Sequence, residues 1–210
     1  MSTPEQYAPN ALAVPDPAGP PSPLYPVRLE IAYPHELNRW LPLVKWLLAV
    51  PHFICLFALG IGAFFVAIYA WFAVLFTGRW PRGAFDYMVG VFRWAYRVVA
   101  YYHLMVDPYP PFSLDDDPNY PVRLEVEYPE QMARWRPLVQ WLLAIPYLIV
   151  AYFLYWITGI VAIVAFFTIL FTKRIPRDIY EVMVPGLRWN LRAAAYYYFM
   201  SARYPPFAWG

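Results

Sequence analysis

The chain has 210 residues, enough for one or two domains, but 61% are hydrophobic and only 14% charged, against roughly a quarter charged in soluble domains. A net charge of +2 gives no electrostatic case for nucleic acid. The single cysteine, Cys55, excludes an intrachain disulfide and a thiolate metal site.

Residues 1–24 contain seven prolines and few large apolar side chains. Such a segment buries too little surface to offset its ordering entropy, so it reads as a disordered or strap-like arm. From Tyr25 the chain repeats at an offset of 95 residues without a gap. YPVRLEIAYP at 25–34 returns as YPVRLEVEYP at 120–129, RWLPLVKWLLAVP at 39–51 as RWRPLVQWLLAIP at 134–146, and YPPF at 109–112 as YPPF at 204–207. A fixed period indicates duplication of one structural unit. The copies cover residues 25–112 and 120–210, joined by an acidic linker at 113–119.

Each copy opens with a strand signal. Val27, Leu29, Ile31 and Tyr33 alternate with polar or small residues, as do Val122, Leu124, Val126 and Tyr128. A strand this short needs a partner: the other copy, a helix or another subunit. Pro42 and Pro137 then suit the first turn of a helix.

The helices that follow lead into uncharged stretches, Trp46–Gly78 (33 residues) and Pro137–Thr172 (36 residues). Both exceed the roughly 18 apolar residues of a membrane-span candidate. A straight helix of 33 residues would be about 50 Å long against a hydrocarbon core of about 30 Å. Each stretch is therefore expected to bend at Pro51 or Pro146, or to fold into a helical hairpin turning near 58–63 and 154–159. Basic residues flank each stretch at its start and at its end, which favours hairpins with both copies the same way up and the charged flanks in the cytoplasm.

After each stretch a second helical pattern, at 85–104 and 180–199, places Asp86, Arg93 and Arg97, and then Glu181, Arg188 and Arg192, on one stripe. That pattern reads as amphipathic interfacial helices whose arginines reach phosphates; the alternative is a further span in each copy, in which the costly central arginines would mark a functional polar path. The fold class expected is thus an all-α integral membrane protein of two tandem repeats. Each repeat has a short N-terminal strand, a bent transmembrane helix or helical hairpin, and an arginine-containing interfacial helix.

The blocks YPVRLE, RW-PLV-WLLA-P, FTGRWPRG and YPPFSLDDDPNYPVRLEVEYP together resemble a bacterial membrane-protein family catalogued as domain of unknown function 4389, in two tandem copies. The resemblance implies an integral membrane protein and assigns no catalytic residue.

No nucleophile–base pair or phosphate-binding glycine loop is visible. His52 and His103 are replaced by Tyr147 and Tyr198 in the second copy, so both read as core or interface histidines. Asp115–Asp117 read as a solvated linker that caps the next element. No catalytic, cofactor or metal site is expected. The candidate contacts for lipid headgroups or a partner are Arg79, Arg82, Arg93, Arg97, Lys173, Arg174, Arg177, Arg188 and Arg192. The expected function is a non-enzymatic scaffold or accessory subunit of a larger assembly in the bacterial inner membrane, multi-pass, with anionic lipids and other membrane subunits as partners. The alternatives are a lipid-binding or bilayer-shaping protein and a transporter or channel of parallel repeats.

Overall fold

The structure, a computed structural model, describes residues 25–209, so the reading of residues 1–24 as an arm lies outside it. The period-two segments form β1 (Val27–Ile31) and β2 (Val122–Val126). They pair with each other, antiparallel, with Leu29 opposite Leu124 at the centre. The helices are α1 (Leu41–Leu48), α2 (Val50–Thr77), α3 (Arg82–Tyr102), α4 (Arg136–Thr172) and α5 (Arg177–Tyr197).

The charge-free stretches do not turn back on themselves. α1 and α2 meet at Ala49, which keeps right-handed helical angles and donates its N–H to the Lys45 carbonyl at 2.9 Å. Pro51 removes one backbone donor just beyond this joint. Leu41–Thr77 therefore forms one rod of 37 residues, and α4 is a second of the same length with Pro146 inside it. Both are long and apolar enough to cross a membrane. The expected hairpin turns at 58–63 and 154–159 are absent, because no Pro, Asn, Asp or Ser stands there to compete with the helix, and the Thr158 hydroxyl bonds back to the Leu154 carbonyl within it. Gly60, Gly62 and Gly159 are helical.

The returning arms are α3 and α5. Tyr87, Trp94 and Tyr101 of α3 meet Leu59, His52 and Lys45 in turn, so α3 runs back antiparallel along α2 and α1. In the second copy Thr158 reaches Met183, Tyr147 stacks on Trp189, and Gln140 reaches Tyr196, so α5 returns along α4 in the same way. Expected as separate interfacial helices, α3 and α5 pack over much of their length against the long rods. Gly186 permits this approach: a Cβ there would overlap the Thr158 hydroxyl and lie 2.9 Å from the Leu154 carbonyl.

The two copies exchange their N-terminal segments. The Leu37 N–H donates to the Lys173 carbonyl, and 95 residues on the Met132 N–H donates to the Gly78 carbonyl, each at 2.8 Å. The Tyr33 hydroxyl donates to the Ile175 carbonyl at 2.6 Å, and its mate Tyr128 donates to the carbonyl of Trp80. Tyr33 stands edge-on to Tyr180 and Tyr128 edge-on to Phe85, both at 5.0 Å between centroids. β1 lies on α5 and β2 on α3. These contacts recur with the copies exchanged, so a pseudo-twofold axis passes between Leu29 and Leu124.

This axis fixes the direction of the rods. Leu37, just before α1, sits at the end of α4, while Met132, just before α4, sits at the end of α2. Trp71, near the end of α2, also donates its indole N–H to Pro137 at the start of α4. Rods about 55 Å long meet at both ends in this way only when antiparallel. The expectation that both copies run the same way is corrected: each strand reaches across to the other copy instead of packing on its own.

The α2 rod ends at Gly78, in the left-handed region at φ 72°, and α4 ends at its mate Lys173 at φ 60°. A lysine tolerates this region less well than glycine, and Lys173 is held by its N–H to the Ile169 carbonyl and by its own carbonyl to Leu37.

Two glycine substitutions separate close packing from open helix. Gly186→Ala is expected to lower stability by about 1–3 kcal/mol through overpacking. Gly60→Ala, with nothing within 4 Å of the added methyl, is expected to raise it by about 1 kcal/mol through helix propensity. Thermal unfolding midpoints in one detergent, followed by circular dichroism, check both; equal shifts would contradict the packing of α5 on α4.

Candidate functional site

The arginines of the two stripes face into the protein, while the acids Asp86 and Glu181 are exposed. Arg93 Nη1 donates to the Leu114 carbonyl at 2.9 Å, and its Nε lies 3.5 Å from Asp116. Arg97 is fully buried, 3.7 Å from the same carboxylate and 5.6 Å over the Tyr120 ring. Burial, and then the neighbouring Arg93, lower the Arg97 pKa, while Asp116 acts to raise it. In the second copy Arg188 Nε donates to the Leu29 carbonyl at 2.9 Å, and burial lowers its pKa as well. Arg192 lies 5.7 Å over Tyr25, whose hydroxyl is pushed up to about 12 by burial. These four arginines bind the linker and the exchanged strands to α3 and α5.

The linker acids are partly engaged. Asp116 faces Arg93 and Arg97, the Ser113 hydroxyl donates to Asp115, and Asp117 accepts from the Asn119 N–H. Among the described residues no group of three His, Cys, Asp or Glu could hold a metal ion.

The other candidates, Arg79, Arg82, Lys173, Arg174 and Arg177, are exposed. They fall into two clusters, one at each end of the antiparallel rods. At the first, Arg82 pairs with Glu130 at 2.8 Å and lies 3.8 Å over Tyr128. A shallow groove of about 420 Å³ there is lined by Thr77, Gly78, Arg79, Gln131, Met132 and Arg134. At the second, Arg174 lies 3.6 Å from Glu36, and Arg177 lies 5.4 Å over Tyr33. Each cluster joins residues from both copies, which the one-dimensional repeat does not reveal.

Sequence reasoning missed a buried ion pair. Lys45, only 1% exposed, donates to Asp107 Oδ1 and to the Val106 carbonyl, both at 2.7 Å. Its mate Gln140 is also buried and donates to the Tyr196 and Ser201 carbonyls at 2.7 and 3.0 Å. Asp107 corresponds to Ala202. Both members of the pair thus become neutral together in the second copy, and this joint change was the available signal. Further along each rod, His52 accepts the Trp94 indole N–H at 3.1 Å and stacks on Phe112 at 4.1 Å. Its mate Tyr147 stacks on Trp189 at 4.8 Å and meets Phe207 edge-on. The YPPF segments thereby clamp each returning arm to its rod.

Removing one member of the ion pair leaves a buried charge. Asp107→Ala is expected to cost about 3–5 kcal/mol. The double variant Lys45→Gln with Asp107→Ala, which copies the second repeat, is expected to recover most of that loss. A double-mutant cycle of unfolding midpoints reads the coupling; additive effects would contradict a direct buried pair.

No curated protein and no solved structure matches the chain. Residues 40–113 and 134–208 each match the family described as domain of unknown function (DUF4389). Both matched spans begin just before a long rod and end at or just beyond YPPF, leaving β1 and β2 outside them. With two matches in tandem over most of its length, the chain belongs to the DUF4389 family.

Proposed function

We propose that the protein is a non-enzymatic structural component of a bacterial cytoplasmic membrane that binds anionic lipid and shapes the bilayer. One observation carries this reading: the rods present continuous apolar faces outward and are capped at both ends by exposed cations. Phe57, Phe65, Phe153 and Phe171 are 64–75% exposed. Only 6% and 17% of the most apolar windows of the two rods are buried, whereas the core helix of a soluble domain would be mostly covered. A contiguous apolar surface of this kind needs a nonaqueous partner. Each exposed Lys or Arg near an anionic surface contributes about 1 kcal/mol, screened by salt.

A scaffold or accessory-subunit role in a larger assembly is favoured by a different observation. Tyr109, Phe112, Phe207 and Trp209 expose 44–60% of their surface beside the YPPF clamps, a composition suited to a protein interface. The pairing of β1 with β2 weakens one route to such a partner, since neither strand is left wholly unpaired. Co-purification of stoichiometric subunits in mild detergent would favour this second reading.

Vesicle flotation tests the lipid reading. Replacing Arg79, Arg82, Lys173, Arg174 and Arg177 with Gln is expected to reduce the preference for phosphatidylglycerol-containing over phosphatidylcholine vesicles at least tenfold at low salt. The unfolding midpoint should stay near that of the parent. Replacing Arg93, Arg97, Arg188 and Arg192 with Ala should instead lower the midpoint. An unchanged lipid preference in the first variant would overturn the assignment of the end clusters.

A further inference from the structure

We infer that the two rods lie along the membrane surface rather than across it, with the acyl chains of one leaflet as the occupant of their outward apolar faces. This rests on the membrane reading above and goes beyond it by fixing orientation.

The argument begins with the pseudo-twofold axis. It passes through the centre of the β1–β2 sheet and interchanges the two ends of the antiparallel pair of rods, so the sheet stands midway between those ends. Were the rods to cross a bilayer, the axis would lie at the midplane and the sheet at mid-depth. Arg28, Glu125 and Glu127 of the sheet region and Asp115 and Asp116 of the linker are exposed. Each charge at that depth costs about 2.5–3.5 kcal/mol or more. Length points the same way: a rod of about 55 Å fits a core of about 30 Å only when tilted by roughly 55°, beyond the roughly 40° limit of observed transmembrane helices.

Laid in the plane, the molecule separates its polarity. Arg93 and Arg97 lie on the side of α3 that meets the linker, and Arg188 and Arg192 on the side of α5 that meets β1 and Tyr25 before it, while Asp86 and Glu181 are exposed. The sheet and the linker, which cover the arginines of both stripes, therefore face water together. On the opposite side Tyr102 of α3 packs edge-on against Phe53 of α2, and Trp46, Phe57 and Phe64 continue that apolar face. A helix is about 10 Å across, close to the 5–10 Å to which interfacial helices sink. Both cationic end clusters then lie at the headgroup level of the same surface. Two such rods inserted in one leaflet expand it relative to the other, which supplies the bilayer-shaping action.

The test uses the full chain carrying Cys55→Ala, with Arg79→Cys or Arg174→Cys at opposite ends of the rods. Each variant is probed with a membrane-impermeant maleimide in spheroplasts and in inverted membrane vesicles. Flotation of the same protein with lipid is measured first; failure to float sinks the underlying membrane reading, independently of orientation. Given flotation, the in-plane arrangement predicts that both cysteines are labelled in one preparation and protected in the other. Labelling of the two positions in opposite preparations overturns it. Polarised infrared dichroism of the parent protein in aligned bilayers gives a second readout: helix axes near the membrane plane are expected, and axes within about 40° of the normal overturn the proposal.

Discussion

The reciprocal exchange of N-terminal segments is the constraint on which the rest of this structure depends. Each copy sends a strand and a following loop across to the junction between the long and returning helices of the other. A five-residue strand is too short to be stable alone. Here its inner face, Val27, Leu29 and Ile31 against Val122 and Leu124, is buried on helices that themselves need a cover. The Leu37 and Met132 bonds to Lys173 and Gly78 pin both ends of the assembly. Because the exchange is mutual it closes on itself, as an isologous interface does between subunits, and it makes the two rods antiparallel.

Within each copy the packing relies on polar groups that have found partners inside an apolar shell. Lys45 reaches Asp107 and Val106, Gln140 reaches Tyr196 and Ser201, and the indole of Trp94 reaches His52. These bonds hold the returning arm in register on its rod, and an unmade one would leave a desolvated donor. The second copy meets the same requirement without charge. A neutral replacement of both partners avoids the desolvation cost of a buried ion pair, so two solutions coexist in one chain. Arg93, Arg97, Arg188 and Arg192 act similarly one layer out. Their stems cross the surfaces of α3 and α5, and their guanidiniums meet the linker, the strand carbonyls or tyrosine faces.

Much of the element structure was legible in the residues. The alternation at 27–31 and 122–126 marked strands, Pro42 and Pro137 marked helix starts, and the 95-residue period marked the duplication. The fate of the long stretches was less legible. Gly60, Gly62 and Gly159 suggested a turn, yet glycine alone does not break a helix whose neighbours are Leu, Ile, Val and Phe, and the return is made by α3 and α5. The arginine stripes were legible as stripes but not in their direction. Spacing of four and seven places side chains on one face and is silent about whether that face meets lipid, water or another part of the chain.

By itself, then, the sequence determined the local order: two equal units, each with a strand, a very long apolar helix and an amphipathic helix, with cations at every boundary. These features follow from backbone propensity and periodicity, which act over a few residues. Only the tertiary structure decided that the units run in opposite directions, that inner and outer arginines divide into fastening and exposed sets, and that the charged sheet stands halfway along the rods. Those outcomes depend on contacts between residues about fifty to one hundred and sixty positions apart, such as Leu37 with Lys173, Gly78 with Met132 and Leu29 with Arg188. No local pattern specifies them, because both copies carry nearly the same signals and the pairing between copies is settled only by how their surfaces fit.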